Sequence, residues 1–307
     1  MSIKKTLGQP INDLWASPTF LLIITGALIG ANFPIGKMAR FAGVTPIIWA
    51  VLLSLGVCAM LFPLVSLRGE IKFVIPSSKI VTYTVITALI SYVIPNSLLF
   101  TVIPHVGAGY AGIIFALSPV FTLAISMLTG VGSTNRLGIV GIFVGLLGAM
   151  IVSFSQANAL EAPPVFWLLA SLFIPFSLAC GNVYRSAKWP KNASADLLAF
   201  WSHFAALIFY VPLLLVVEGS IPLFEFALVP QLALVQAILS GIAYLAFFRL
   251  QKTGGPVLLS QIGYVAAAVS LLAATTLLGE SYAPATWSGA FVIAIGIFIT
   301  IVARGKR

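Results

Sequence analysis

Nine stretches of this chain, residues 14–36, 41–67, 80–135, 137–160, 162–184, 197–217, 226–248, 253–279 and 281–303, contain no charged residue, and the shortest is 21 residues long. An α-helix needs about 20 apolar residues to cross the hydrocarbon of a bilayer. Only 23 of the 307 residues are charged, 16 basic and 7 acidic, or 7%, where a soluble domain carries about 25%. With 60% hydrophobic residues and a mean hydropathy of +1.12, the chain cannot clothe a water-facing surface. Soluble, disordered and nucleic-acid-binding classes are excluded; the partner is the lipid bilayer. The runs are continuous rather than alternating with period two, which argues against a membrane barrel and for an all-α integral membrane protein.

The stretch 80–135 is 56 residues long, with the breaker cluster Pro104-His105-Val106-Gly107 near its middle, so it is expected to cross twice, giving ten spans. The first, from about Pro18 to Ala39, is longer than a signal-peptide core and lacks a cleavage site, so it reads as retained. With the N-terminus cytoplasmic, fourteen basic residues fall on one side: Lys4, Lys5, Arg68, Lys72, Lys79, Arg136, Arg185, Lys188, Lys191, Arg249, Lys252, Arg304, Lys306 and Arg307. Lys37 and Arg40 alone fall on the other. Basic residues concentrate in cytoplasmic loops, so the expected topology is N-in/C-in, multi-pass in the inner (plasma) membrane. An error of one span would destroy the asymmetry. The net charge of +9 is thereby read as an orientation signal.

Spans 1–5 and 6–10 read as two copies of one unit, over 18–154 and 163–303. Asn32 aligns with Asn182 at offset 150, Gly107 with Gly254 at 147, and Gly141 and Gly148 with Gly289 and Gly296 at 148. Five crossings are an odd number, so the second copy enters from the opposite side, and the repeats are inverted about an axis in the membrane plane. Exchanging the conformations of the two halves would turn an inward-open cavity into an outward-open one. Pro34, Pro63, Pro95, Pro119, Pro175 and Pro212 are candidate bending points, or static kinks. Gly26/Gly30 and Gly141/Gly145/Gly148 read as close helix contacts.

These residues resemble the EamA-like branch of the drug/metabolite transporter superfamily. The first span carries Gly30-Ala31-Asn32-Phe33-Pro34-Ile35-Gly36-Lys37, the third and fourth carry Asn96 and Ser118-Pro119-Val120-Phe121, and the ninth ends in Leu278-Gly279-Glu280 before a glycine-rich tenth. The resemblance covers about residues 18–303. The acidic position is not duplicated: Gly132-Ser133 stands where the second half has Gly279-Glu280. Span 9 reads Gln261-Ile262-Gly263-Tyr264, without the glutamate-proline step of many members. The resemblance implies ten helices, a central cavity lined mainly by helices 1, 3, 4, 6, 8 and 9, and transport of small organic metabolites, often outward.

Polar groups in hydrocarbon normally face the bundle interior or a wet cavity. Asn32, Asn96, Tyr110 and Ser118 in the first half, and Asn182, His203, Tyr244, Gln261 and Tyr264 in the second, with Trp201 as an aromatic face, are candidates to flank a substrate site. The asparagines and the glutamine could equally bridge helices. His203 lies well inside a span, and histidine titrates near neutral pH, so a proton is the candidate coupling ion, against a neutral packing role for the ring. Glu280 sits at the outer end of span 9 as a gate cap or a group meeting water. Lys37 and Arg40 either attract anions at the outer mouth or snorkel.

The expected activity is a secondary transporter of a small organic metabolite, amino-acid-like, amphiphilic or zwitterionic, working by alternating access with export favoured. A lipid or lipid-precursor translocase of the same fold is the alternative. An integral-membrane enzyme would need a nucleophile–base pair or metal cluster. The two histidines, His105 and His203, lie far apart in sequence, and the two cysteines, Cys58 and Cys180, sit alone in apolar runs, so no cofactor, metal or redox chemistry is expected. A channel would need a charged ring or carbonyl filter.

Overall fold

The computed structural model describes residues 15–70, 76–132, 134–157 and 164–305. Ser133 and the basic residues Lys4, Lys5, Lys72, Lys306 and Arg307 lie outside them. The described chain folds into helices α1 (Pro18–Phe41), α2 (Pro46–Leu67), α3 (Ser78–Val106), α4 (Ala108–Thr129), α5 (Arg136–Ala157), α6 (Val165–Ala187), α7 (Ala195–Val217), α8 (Pro230–Ser260), α9 (Ile262–Leu278) and α10 (Pro284–Gly305), with a short 3₁₀ turn at Leu223–Leu228. Among the described residues, eight helices are long and apolar enough to cross a bilayer, and α5 and α9 are shorter apolar helices. In a bilayer each backbone N–H and C=O must be satisfied within the protein, which helices do by themselves.

The shortness of α9 has a local cause. The apolar run 253–279 is cut at Gly255, whose φ of 71° and ψ of −179° end one helix, and is bent again at Gln261. The same pair of breaks occurs in the first half. Gly107 has φ 85° and ψ 151°, and α4 is interrupted after Phe115 at Ala116. The backbone therefore aligns Gly107 with Gly255, at offset 148, rather than with Gly254. Likewise α4 closes on left-handed Gly130 and α9 on left-handed Gly279, at offset 149. Val131, and not Ser133, thus stands where the second half has Glu280. Residue identity misled the sequence alignment because only the conformation distinguishes Gly255 from its neighbour Gly254.

Contacts give the relative directions of the helices. A Cβ on Gly26 would meet Val265 and one on Gly30 would meet Ala266 and Val269, so α1 runs parallel to α9. Gly56 faces Ala237 and Ser240 while Met60 faces Gly241, so α2 is parallel to α8. Gly112 meets Ser270 and Gly263 meets Phe115, so α4 and α9 are antiparallel. Ser54 bonds His203 and Arg68 pairs with Asp196, so α2 and α7 are antiparallel as well.

The closing helices of the halves, α5 and α10, pack through glycines. A Cβ on Gly141 would lie 2.8 Å from the Gly296 carbonyl and one on Gly148 2.6 Å from that of Gly289. Because Gly141 and Gly148 are the sequence counterparts of Gly289 and Gly296, each glycine touches the other's equivalent. This is the reciprocal pattern of a two-fold contact. Backbones approach this closely only where no side chain intervenes. Gly148→Ala is therefore expected to cost about 1–3 kcal/mol through overpacking, read as a lowered melting temperature in detergent, whereas Ala at exposed Gly219, with nothing around its Cβ, leaves packing untouched and costs only its positive φ.

Candidate functional site

A small cavity of about 30 Å³ lies between the two halves, walled by α1, α2, α3, α4, α6 and α8. Its apolar wall includes Phe33, Leu53, Leu99, Phe100 and Phe115, and its polar side carries Asn32, Ser91, Tyr92, Asn96 and Tyr244. Helices 1, 3, 4, 6 and 8 are among those the family resemblance implied; α2 contributes Leu53, and α9 contributes nothing to this wall.

The polar side is shaped by a π-helical turn, Leu89–Val93, within α3. Its origin is in the sequence: Pro95 has no N–H to offer the carbonyl four residues before it, and the Ile94 N–H bonds the Leu89 carbonyl instead. Two further carbonyls of this turn are taken up by other helices, Ile90 by the Ser177 hydroxyl at 2.7 Å and Tyr92 by the Tyr210 hydroxyl at 3.1 Å. The widened turn presents Ser91 and Tyr92 to the cavity. Such π-turns recur at functional sites.

Of the residues proposed from sequence, the structure brings together Asn32, Asn96 and Tyr244 on the cavity wall. His203 stands directly behind it. Its ring stacks on Tyr92 at 4.0 Å and meets Tyr244 edge-on at 4.3 Å, and its Nδ1 shares a 3.1 Å hydrogen bond with Ser54. The Asn32 Oδ1, Asn96 Nδ2, Tyr92 hydroxyl and His203 Nε2 are buried without a hydrogen-bond partner, an arrangement that is costly in apolar surroundings unless a ligand or water completes it.

The other proposed residues lie elsewhere. Gln261 accepts from Thr300 at 2.7 Å and Tyr264 donates to the Ile142 carbonyl at 3.2 Å, so both tie α9 to the α5–α10 pair. Trp201 packs on Phe200 and Phe204. Tyr110 and Ser118 are buried in α4, in its first turn and just past its break, outside the cavity wall. Asn182 donates to Thr122 at 3.3 Å and accepts from Arg185 at 2.6 Å.

Arg185 is the residue that sequence reasoning missed. Treated there as a loop charge, it is a fully buried member of α6. Its Nε donates to Gln251 at 3.1 Å, one Nη to Asn182 and the other to Ser91, and its guanidinium lies 4.8 Å from the Phe247 ring centre. The clue was the spacing Asn182-x-x-Arg185, which places both on one face of a helix.

At the opposite end of the bundle, Glu280 links the end of α9 to α1 and α4. It pairs with Lys37 at 2.6 Å and accepts the Ala108 N–H at 3.2 Å and the Gly109 N–H at 3.4 Å, capping the start of α4. The Tyr282 hydroxyl donates to it. Burial raises the carboxyl's pKa, but the hydrogen bonds from Lys37 and Tyr282, the Lys37 charge and the Ala108 amide outweigh that and hold it below its usual value of 4.5. A depressed folded value means the network stabilises the protein above pH 4.5 and loses its effect as the pH falls through the lower folded value. Melting temperature measured from neutral to acid pH is expected to converge for wild type and Glu280→Gln, with wild type higher only on the neutral side.

The sequence profile of the EamA-like transporter family matches residues 17–154 and again 165–302. The Escherichia coli (strain K12) protein described as the uncharacterized inner membrane transporter YedA is 29% identical over 206 residues, 66% of this chain and 64% of that one, and its counterpart in Escherichia coli O157:H7 matches equally. The chain thus spans under two thirds of these relatives' length. A crystal structure 18% identical in sequence superposes with a TM-score of 0.68, covering 94% of this chain and 98% of the other, and so shares the fold. With its apolar helices and family profile repeated in each half, the chain is a multi-pass inner-membrane protein that belongs to the EamA-like transporter family of the drug/metabolite transporter superfamily.

Proposed function

We propose that this chain is a ten-crossing secondary carrier that moves a small organic metabolite outward across the inner membrane by alternating access, with both termini cytoplasmic. The observation that carries the reading is the cavity between the halves, with its unpartnered Asn32, Asn96 and Tyr92 atoms. A site at the interface of two inverted repeats is where carriers of this architecture bind. The helix directions support ten alternating crossings: α1 with α9 and α2 with α8 are odd-odd and even-even pairs and run parallel, while α2/α7, α4/α9 and α5/α10 mix parity and run antiparallel. With the buried Arg185 removed from the count, thirteen basic residues still fall on one side against two, which supports the orientation.

Asn32, Asn96 and Tyr244 are the residues of the site, with His203 behind them as the candidate proton carrier. The seal built on Glu280 and Lys37 then faces outward. Its counterpart at the other end pairs Gly132 with Pro256 and holds no charge. There a cleft of about 470 Å³ lies between Gly132, Thr253, Pro256 and Thr300, on the cytoplasmic side in this reading.

Proteoliposomes loaded with an unlabelled metabolite panel and exposed to the labelled compound test this. Counterflow stimulated by internal substrate, reduced at least about tenfold by Asn32→Ala or Tyr244→Phe, is the expected result. Flux that is insensitive to substrate on the far side identifies a channel and defeats the proposal. Running the assay with and without a pH gradient reads the coupling: a gradient that leaves His203→Gln and wild type equally unaffected removes the proton.

A further inference from the structure

Arg185 holds a positive charge that no described carboxylate balances. The described carboxylates are engaged elsewhere: Glu70 with Ser194, Asp196 with Arg68 and Arg249, Glu218 and Glu225 with Thr45, and Glu280 with Lys37. The guanidinium's partners Ser91, Asn182 and Gln251 are all neutral. A guanidinium has five N–H donors and three are used, which leaves one on each Nη. Leaving a buried cation unbalanced is costly. Helix side chains project toward the helix N-terminus, so Arg185, near the end of α6, is aimed inward rather than snorkelling to water.

Resting on the reading of this chain as a carrier, we infer that the substrate is a small organic carboxylate with an apolar body, and that Arg185 receives the carboxylate. Ser91 and Phe247, which touch the guanidinium, are themselves part of the cavity wall, so a small shift of the π-turn brings the two free N–H groups to the bound molecule. A planar guanidinium matches a carboxylate with two parallel hydrogen bonds. No acidic residue lines the cavity, so a cation would meet one positive charge and no negative one. The cavity is closed around about 30 Å³, so the walls part to admit the molecule, whose apolar body then packs among Phe33, Leu99, Phe100 and Phe115.

Two further features agree. Gly181 leaves the space in which the guanidinium lies, since a Cβ there would fall 2.1 Å from the Ser91 hydroxyl and 3.0 Å from an Arg185 Nη. A cleft between the start of α3 and the end of α6 is lined by Lys79, Lys188 and Lys191. Converging positive charge of this kind raises the local concentration of anions. Tyr83, stacked on Tyr184 at 5.9 Å and edge-on to Trp189 at 6.1 Å, lines that cleft.

The test is binding to the purified full chain in detergent, followed by calorimetry and melting temperature. The probes are one set of matched aryl and C4–C8 alkyl carboxylates, their amides, the corresponding amines, and phenyl phosphate. At least one carboxylate is expected to bind, with its amide and amine at least about tenfold weaker. Arg185→Gln is expected to lose that binding and Arg185→Lys to keep part of it. If Arg185→Gln does not yield monodisperse protein, Gly181→Ala keeps the charge, displaces the fork, and is expected to weaken the carboxylate by a similar factor. No binding by any carboxylate, equal binding of amide or amine, tighter binding of phenyl phosphate, or undiminished affinity in the folded variant would each overturn the inference. Arg185-dependent binding without counterflow would instead defeat the carrier reading and leave the anion site standing.

Discussion

Hydrocarbon offers no hydrogen bonds, and the architecture follows from meeting that deficit inside the protein. Most of the chain meets it with helix, and the interest lies where helix gives way. At the π-turn of α3, carbonyls released by the geometry around Pro95 are taken by hydroxyls of α6 and α7, Ser177 and Tyr210. At the start of α4, N–H groups that no helix can satisfy are taken by Glu280 and Tyr282. Each repair uses a side chain from the other half of the molecule, so the same bonds that heal the backbone also hold the two halves together around the cavity.

Duplication supplies the scaffold, and departures from it supply direction. The backbone is repeated closely, down to the paired conformations of Gly107 with Gly255 and Gly130 with Gly279. The chemistry is not repeated. Glu280 has Val131 as its counterpart, so one end carries an ion pair on a helix start and the other an uncharged contact between Gly132 and Pro256. Asn32 and Asn182 align in sequence at offset 150, yet Asn32 faces the cavity with its oxygen free while Asn182 is bound to Arg185 and Thr122. These substitutions make the two ends of the bundle chemically unlike.

Much of the fold was legible before the structure. Long charge-free runs located the helices, and the break at Pro104–Gly107 separated α3 from α4. The glycines at 141, 148, 289 and 296 marked a close contact that proved to be reciprocal. The repeat register was less legible, because Gly254 and Gly255 differ only in backbone conformation. On the cavity wall, Asn32, Asn96 and Tyr244 had been singled out by the rule that polar side chains avoid lipid. The same rule also selected Gln261 and Tyr264, which obey it by bonding Thr300 and a backbone carbonyl. Avoiding lipid is a property of a residue and its helix face, whereas sharing a cavity is a property of several helices at once.

From the sequence alone came the solvent, the class and the orientation signal, since hydropathy and the placement of basic residues act locally along the chain. The tertiary structure alone decided what becomes of Arg185. As a letter it ends an apolar run and reads as one more cytoplasmic charge. In space, Ser91, Asn182 and Gln251 from three helices close around it, Gly181 leaves it room, and its side chain points into the bundle. Whether a charge meets water or a cavity depends on neighbours remote in sequence, and only folding brings those neighbours together.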